Sequence, residues 1–491
     1  MKRLIYIFLV LTTLSSTSCE GFLDKDPNML STATFYENDS QAIEGVNAVY
    51  AVFYDFYLNH VGFDVDCLSD DIIKGHGTDF SDYVSFNIGQ IPASNSAVSS
   101  LWGSYYKAIY RANYVIDNVE GNGTISDETA NMVLGEAYFL RAYFYHEIVQ
   151  RWGDCPLITS TIDQLGSPAR TPKDEVYTQI ENDLLRASEL LSYIADADAG
   201  RPNIGAAKSL LGLVYLSQNK FEECYDALTP VVTDEGGKYG YYLIEDLDNL
   251  FQLDNNNGPE SIFEIQSRHE APLGETIAFN HWIRPRGLSV HGGLGFPMPT
   301  QSLFDEFEDG DLRREFAIIA DGESIAPELG DECFSSALAP ETGYSYGKYV
   351  KGVDVGDYQE RLGQNKKLIR YAEVLLAYAE AAYESGHASE AWSTLEIVRT
   401  RAFLGTPPKY STDFTEAIRH ERRVELAGEN KRYFDLLRWG IAEQVLTADC
   451  KKHDGYSYDY VFNSQAKGLY PIPQTELDSN TNPDFYQTDG Y

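Results

Sequence analysis

Apolar residues recur at intervals of three and four positions along most of the chain, the spacing that places them on one face of an α-helix. The runs with this spacing are 40–58, Leu101–Val119, Glu128–Arg151, Gly205–Val232 and Tyr371–Ala402. They occupy the first and last parts of the sequence. The pattern therefore predicts a mainly α fold.

Two of these runs each contain a turn, at Asn219-Lys220 and at Gly386-His387. Each is predicted to form a helical hairpin of the tetratricopeptide kind. Small residues at 212 and 379 would let the paired helices approach closely, and an unrelated helical hairpin is the alternative. The residues that share the register are Leu211, Gly212, Tyr215, Cys224 and Leu228 in the first hairpin, and Tyr378, Ala379, Ala382, Ala391 and Leu395 in the second.

The segment between the hairpins, 236–363, is rich in Gly, Pro, Asn and aromatic residues, with short strand-like runs such as SIFEIQ and GKYVKGV. Such a segment is either a separate lobe or a set of ordered functional loops. The predicted organisation is a tetratricopeptide-like helical-hairpin scaffold, 19–235 and 364–491, with a loop-rich, small-strand insertion at 236–363. Since binding residues tend to lie on loops held by a rigid scaffold, 64–99 and 270–300 are the first places to look for a site.

The segment HERRVELAGENKRYFDLLRWG, His420–Gly440, reads as a single helix with a charged rim. Its charges are spaced to pair at i,i+3 as Arg422–Glu425, Glu429–Arg432 and Asp435–Arg438. His420-Glu421 begins like a zinc-binding HExxH motif, but position 424 is Val, so the second metal ligand is missing. The segment therefore favours a structural role over a site.

Charge narrows the range of partners. The chain has 38 basic and 75 acidic residues, a net charge of −37, so nucleic acid and anionic membrane surfaces are improbable partners. A neutral glycan is not repelled. The 35 tyrosines suit sugar stacking or interface packing. Five widely spread cysteines besides Cys19, with no CxxC, indicate neither a zinc site nor a disulfide framework.

The N-terminus has the layout of a secretory signal: Lys2 and Arg3, the apolar run Leu4–Leu14, then SSTSC. Because it ends on Cys19, it resembles a bacterial lipoprotein signal, 1–18, whose Cys becomes lipidated. It departs from that pattern in having Ser16 where Leu is usual. Ordinary cleavage nearby is the alternative. No later segment is long enough for a membrane span, so lipid on Cys19 is the expected anchor.

The 420–440 segment is similar to the signature helix of the SusD/RagB family of outer-membrane lipoproteins. Other matching pieces are CEGFLDKDP, LWGSYYKAIYRANYVI, GEAYFLRAYFYHEIVQRWGDCPL, IRYAEVLLAYAEA and YPIPQTEL. The resemblance implies a mainly helical binding protein on the outer face of the outer membrane. It also implies that the protein holds oligosaccharides or other nutrients, partners a SusC-like TonB-dependent transporter, needs no cofactor or metal and is not an enzyme.

A sugar binder needs exposed aromatic rings beside carboxylates, amides and Arg. The first cluster of this kind is AFNHWIRPRG, with Trp282 as the stacking candidate and Asn280, His281, Arg284 and Arg286 around it. The alternative is that Trp282 caps a small loop core. Phe296, in GGLGF, stands where the family often has Trp, which would weaken or reshape a stacking surface.

The second cluster is GTDFSDYVSFN, which offers Asp79, Tyr83 and Asn87 together with Phe80 and Asp82. The alternation of Tyr83, Ser85 and Asn87 predicts an edge strand, and a purely structural strand is the alternative. Trp102 belongs to a general family motif, so we expect it mainly to pack.

Two other functions stay open. A secreted glycoside hydrolase would need two opposed carboxyl groups, and no motif selects a pair among the 75 acidic residues, so no catalytic residue is predicted. A peptide-binding or scaffold lipoprotein of an uptake complex would use helix-pair surfaces instead. Mutation of Trp282 should abolish the glycan affinity of a binder, whereas a scaffold would bind no glycan to begin with.

Overall fold

A computed structural model of the protein describes residues 35–59, 62–77, 79–163, 166–194, 197–234, 236–267, 279–288, 292–325, 333–350, 363–448, 451–453 and 456–491. It confirms the predicted fold class: the chain is mainly helical with a few small sheets. The helices are Asp39–Asn59 (α1), Asp64–Leu68 (α2), Val84–Asn87 (α3), Ser96–Val119 (α4), Asp127–Trp152 (α5), Lys173–Leu190 (α6), Ile204–Ser217 (α7), Phe221–Val232 (α8), Phe279–Ile283 (α9), Gln301–Glu306 (α10), Leu312–Ala317 (α11), Tyr371–Glu384 (α12), Ala388–Ala402 (α13), Phe414–Glu425 (α14), Arg432–Arg438 (α15), Ala442–Thr447 (α16) and Gln474–Ser479 (α17). None of these helices is both long and apolar enough to cross a membrane.

The strands are short and pair two by two within the described ranges. They are Ile72–Lys74 (β1), Ser261–Ile265 (β2), Pro297–Pro299 (β3), Ile318–Ile319 (β4), Ser345–Tyr346 (β5), Lys366–Arg370 (β6), Lys452–His453 (β7) and Tyr456–Ser457 (β8). SIFEIQ is a strand as predicted. GKYVKGV is not one at 347–350, because β5 ends at Tyr346 and a turn follows.

Polar caps set where the long helices begin. The side chain of Asn95 accepts a hydrogen bond from the Val98 N–H at 3.1 Å, so α4 begins five residues before the apolar run. Ser126 caps α5 in the same way through the Thr129 N–H. These caps satisfy N–H groups that have no partner inside the helix. Helix α5 packs against both α4 and α6, and α1 packs against α4 and α5.

Both predicted hairpins form, as α7–α8 and α12–α13. Their turns use left-handed backbone at Asn219 and at Gly386. A Cβ on Gly212 would lie 2.3 Å from Leu228 Cδ2, so the helices of the first hairpin approach as closely as the sequence predicted. The missing side chain is therefore required by packing.

The two hairpins also pack on each other. The rings of Tyr225 and Tyr378 stack with centroids 5.1 Å apart. Both hydroxyls donate to Glu390, at 2.9 and 2.6 Å. A shared acceptor of this kind fixes one orientation between hairpins that lie far apart in sequence.

The insertion is joined to both flanking regions by strand pairing. β1 pairs antiparallel with β3, with Ile72 opposite Pro299, and β2 pairs antiparallel with β6, with Ile265 opposite Lys366. One continuous hydrophobic core extends from Tyr36 to Phe485 and includes residues of the insertion. The loop regions are thereby held against the helical scaffold.

The prediction of a single helix over 420–440 is wrong. The helix α14 ends at Glu425 and α15 begins at Arg432, because Gly428 and Asn430 adopt left-handed backbone between them. At Gly428 the backbone passes so close to Tyr346 that a Cβ would lie 2.2 Å from its ring. The break turns the carboxylates of the segment toward the interior.

The predicted pairing within the segment is correct only for Asp435 and Arg438, whose atoms are 2.8 Å apart. The other charges pair outside the predicted i,i+3 spacing, and all of them except the half-buried Arg432 are buried. These longer-range pairs are Arg422–Asp435 at 2.8 Å, Glu425–Arg401 at 2.5 Å, Glu429–Arg370 at 2.7 Å and Arg432–Asp70 at 2.9 Å. The segment is thus the centre of a buried ionic network rather than a charged surface.

Candidate functional site

Three aromatic rings from separate parts of the chain meet beside α9. The ring centroid of Phe80 lies 5.1 Å from that of Trp282 and 5.4 Å from that of Phe296. Trp282 and Phe296 are 6.0 Å apart. Phe80 is 51% exposed, whereas Trp282 is 7% and Phe296 1% exposed. Phe80 therefore presents the accessible face of the cluster, and the other two rings support it.

Backbone hydrogen bonds explain why these residues meet. The Phe296 N–H donates to the Trp282 carbonyl at 3.1 Å, and the Gly75 N–H donates to the Phe296 carbonyl at 2.7 Å. The residue before β3 therefore lies between α9 and the end of β1. As a result, the two sequence clusters around Trp282 and Asp79 become neighbours.

An exposed ion pair lies next to the rings. Arg286 Nη2 is 2.8 Å from Asp79 Oδ2, and both side chains are more than a third exposed. The hydrogen bond from Arg286 holds the pKa of Asp79 below its ordinary value. The guanidinium of Arg286 also lies over Phe296, 5.8 Å from its centroid. A charged donor and a charged acceptor are thus available within one patch.

Lys74 lies behind the patch and holds its backbone in place. Its Nζ donates to the carbonyls of His76 and Asp79 and lies 4.7 Å from the Phe296 centroid. Burial lowers the pKa of Lys74 to about 8. The side chain of Asn87 binds both backbone groups of Lys74, accepting from its N–H at 2.8 Å and donating to its carbonyl at 3.0 Å.

The prediction of an edge strand over Tyr83, Ser85 and Asn87 is wrong. Ser81–Tyr83 forms a turn of 3₁₀-helix, and α3 follows it. Tyr83 and Asn87 are buried, and Asn87 is fully engaged by Lys74. In this structure both residues shape the patch from inside instead of facing a ligand, because the helical turns point them into the core.

Asn280 and Arg284 are also buried beside Trp282. Among the described residues neither side chain has a hydrogen-bond partner. Burial lowers the pKa of Arg284 to about 9. Burial of a guanidinium costs free energy unless acceptors complement it. The three side-chain nitrogens of Arg284 have no hydrogen-bond acceptor among the described residues. His281 is half-buried, and its carbonyl accepts from the Leu294 N–H at 2.9 Å.

Phe80 is the residue whose importance the sequence understated. It lies in the second cluster, but nothing in its local pattern distinguishes it from the buried Phe86. Its left-handed backbone, with φ 49°, is rare for an aromatic residue and turns the ring outward. Trp102, expected to pack, is indeed buried and stands edge-on to Trp152 at 5.2 Å.

Two buried aspartates near the start of β1 have raised pKa values. Burial raises the pKa of Asp66 to about 7 and that of Asp71 to about 6. Asp66 is buried and accepts from the Asn430 N–H at 2.9 Å, and Asp71 pairs with Arg423 at 2.8 Å. A general acid must reach its substrate, which these residues do not. Nor do the described ranges contain three His, Cys, Asp or Glu grouped to hold a metal ion.

Two protein-family models match the chain. The model described as "SusD family" matches residues 259–491, and the model described as "Starch-binding associating with outer membrane" matches residues 21–216. The chain belongs to the SusD/RagB family. The resemblance seen in the 420–440 segment is thereby confirmed over nearly the whole chain.

Relatives within the SusD/RagB family match over most of their lengths. SusD-like protein P2 from Formosa agariphila is 27% identical, covering 98% of both chains. Among solved structures, surface glycan-binding protein A from Bacteroides fluxus is 26% identical with a TM-score of 0.78, covering 92% of this chain and 99% of its own. A laminarin binding SusD-like protein is 28% identical with a TM-score of 0.77, covering 92% of this chain and 100% of its own.

Proposed function

We propose that this SusD/RagB-family protein is a cell-surface lipoprotein that captures oligosaccharides and delivers them to a SusC-like TonB-dependent transporter in the outer membrane. Two solved relatives of the same fold have names that state glycan or laminarin binding. One family model describes association with the outer membrane. Cys19, the proposed lipid attachment site, lies outside the described residues, as do residues 1–18 of the proposed signal.

The observation that carries the glycan assignment is the exposed Phe80 ring beside the Arg286–Asp79 pair. The C–H face of a pyranose ring stacks on an exposed aromatic ring, while its hydroxyls need donors and acceptors at the ring edge. Arg286 donates and Asp79 accepts in this arrangement. Trp282 supports Phe80 from beneath. Half-buried His281 is the polar neighbour that a ligand can reach, whereas the buried Asn280 and Arg284 lie behind the surface.

Catalysis is not part of the proposal. Glycoside hydrolysis requires a carboxylic acid that can reach the glycosidic oxygen and a second carboxylate across the bond. The accessible carboxylate of the patch, Asp79, is held ionised by Arg286. It therefore suits hydrogen bonding to hydroxyls rather than proton donation.

The experiment is calorimetric titration of residues 20–491 against a panel of plant, microbial and host polysaccharides, with reducing-sugar release followed in parallel. We expect binding of at least one polysaccharide without sugar release. Release would indicate a hydrolase. Absence of both would favour the peptide-binding or scaffold alternatives, which pull-down of the transporter would then test.

For the polysaccharide that binds, Phe80→Ala should lower affinity at least tenfold, because covering one Phe side chain with a ligand contributes about 1.5–3 kcal/mol. Tyr242→Ala is the matched control, since Tyr242 is also a highly exposed aromatic residue but lies outside the patch. Equal affinity of Phe80→Ala and the control would place the binding surface elsewhere.

Cys19→Ala should release the protein from the membrane fraction and abolish incorporation of a labelled fatty acid.

A further inference from the structure

A concave site lies between the N-terminal helical region and the C-terminal tail, and it shares no lining residue with the patch beside α9. It is a cleft of about 300 Å³ between α4, the loop around Ser167 and the C-terminal α17. Trp102, Tyr106 and Phe485 form its apolar side, and Ser167, Glu476 and Ser479 line its polar side. This volume is at the lower end of small-molecule sites. We call it the Trp102 cleft.

The aromatic side of the cleft is preformed. Trp102 and Tyr106 lie one helical turn apart with ring centroids separated by 4.8 Å. The Tyr106 hydroxyl donates to the Pro156 carbonyl at 2.9 Å, so the polar end of this side chain is engaged and its half-buried ring borders the cleft. Phe485 meets Trp102 edge-on at 6.4 Å. The rings therefore keep their positions without a ligand.

The polar side is held just as firmly. The Asn480 amide donates to the Pro168 carbonyl at 2.9 Å, and the Asn482 amide donates to the Ser167 carbonyl at 2.9 Å. These bonds fix the loop around Ser167 against the segment that follows α17. The Glu476 carboxylate accepts a hydrogen bond from the Trp102 side chain, and partial burial raises its pKa. One carboxylate and two hydroxyl-bearing residues thus border the rings.

Gly103 is the feature that packing does not explain. It lies inside α4, where Gly destabilises a helix relative to Ala. Unlike Gly212, it is exposed, and a Cβ at this position would meet no atom within 4 Å. It lines the Trp102 cleft next to the rings. The absent side chain keeps the cleft open at the expense of helix stability.

We propose that the Trp102 cleft is a second saccharide subsite, which holds one sugar unit against the Tyr106 ring with its hydroxyls bonded to Glu476, Ser479 and Ser167. The class of ligand follows from the lining: aromatic surface with carboxylate and hydroxyl groups suits a neutral sugar. The proposal rests on the proposed function, since it assumes that the protein binds a glycan. It adds a site that none of the residues near Trp282 shares.

The test uses Gly103→Ala and Gly103→Leu, which place a methyl or an isobutyl group in the cleft while improving helix propensity. Both variants should unfold at the same or a higher temperature than the parent protein, and both should bind glycan more weakly, at least fivefold for Leu. Gly123→Ala is the control for affinity, because a Cβ at Gly123 also meets no atom within 4 Å but the residue lies in a turn and does not line the cleft. If Gly103 had only a structural role, its substitution would not weaken glycan binding while raising the unfolding temperature.

The two proposals fail in distinguishable ways. Titrations with the polysaccharide identified above are repeated in the Phe80→Ala background, where the first site is weakened. Residual binding that Gly103→Leu removes supports the second subsite. Glycan binding that is unchanged in both Gly103 variants overturns the subsite and leaves the proposed function intact. Absence of glycan binding in the parent protein overturns both.

Discussion

At the residue scale, the surroundings of a side chain decide whether it can act on a ligand. The chain has many acidic residues, yet those in the 420–440 segment are held by Arg and Lys inside the protein. Burial opposes ionisation of Glu425, but Arg401, Arg370 and Arg313 together lower its pKa well below the ordinary value. Asp79 is exposed, so it is the acidic residue of the candidate clusters that a sugar can reach.

Asp66 offers a test of this view through pH. Burial raises its pKa from 3.8 to about 7, while Lys366 acts in the opposite direction and Asp71 and Asp64 reinforce the effect of burial. Between those two pH values the folded protein retains a proton that the unfolded chain has released. The stability that protonated Asp66 contributes is therefore fully present below pH 3.8 and is lost as pH rises through 7.

Asp66→Asn should remove this loss, because Asn does not ionise and its oxygen still accepts from the Asn430 N–H. Relative to the parent protein, the variant should gain free energy of unfolding as pH rises from about 5 to about 8, by at most about 1.4 kcal/mol per pH unit. Urea unfolding across this range measures the difference. A difference that does not change with pH would contradict the assignment.

At the element scale, close approach between helices depends on single small residues. In the α7–α8 hairpin, a methyl group on Gly212 would overlap Leu228. Gly212→Ala should therefore destabilise the protein by about 1–3 kcal/mol, against the direction that helix propensity predicts. Gly103→Ala, at a position without neighbours, should change stability in the opposite direction.

A double-mutant cycle identifies the contact. Leu228→Ala alone should cost about 2–5 kcal/mol, because it leaves a cavity in the hairpin. In the Leu228→Ala background, Gly212→Ala has room, so the two changes together should cost less than the sum of the single changes. Strict additivity, measured by denaturant unfolding, would show that Gly212 and Leu228 do not compete for space.

At the scale of the whole molecule, the ionic network connects the start of β2 in the insertion with β6 and with the end of α14 in the C-terminal region. Arg370, at the end of β6, contacts Glu260 at 2.6 Å, Glu425 at 3.1 Å and Glu429 at 2.7 Å. Glu260 lies just before β2, and the other two glutamates follow or end α14. One buried guanidinium thus connects three segments that are far apart in sequence.

Arg370→Met should be strongly destabilising, by about 3–5 kcal/mol, because it leaves buried carboxylates without their counter-charge. Arg186→Met is the control: its pair with Glu189 is exposed, so its loss should cost less than about 1 kcal/mol. Thermal and urea unfolding of both variants provide the comparison. Similar effects of the two substitutions would mean that the network contributes no more than a surface ion pair.

Most of the fold follows from the sequence alone, because helices and hairpins depend on local spacing. The apolar period located α4, α5, α7, α8, α12 and α13, and the small residue at 212 marked the close contact of the first hairpin. The strand at SIFEIQ was also visible. Family membership followed from motifs that do not require a structure. The candidate clusters around Trp282 and Asp79 were likewise identified from residue types.

The tertiary structure decided the helix break, the burial of individual side chains and the ion-pair partners, which local sequence pattern does not determine. The break at Gly428 depends on the proximity of Tyr346, so no periodicity in 420–440 could reveal it. Tyr83, Asn87 and Arg284 are buried, and Phe80 exposed, because of how β1, β3 and α9 meet. Ion-pair partners and the exposure of a ring are set by contacts between distant segments, whereas the sequence by itself determines only local conformation and the residues available for those contacts.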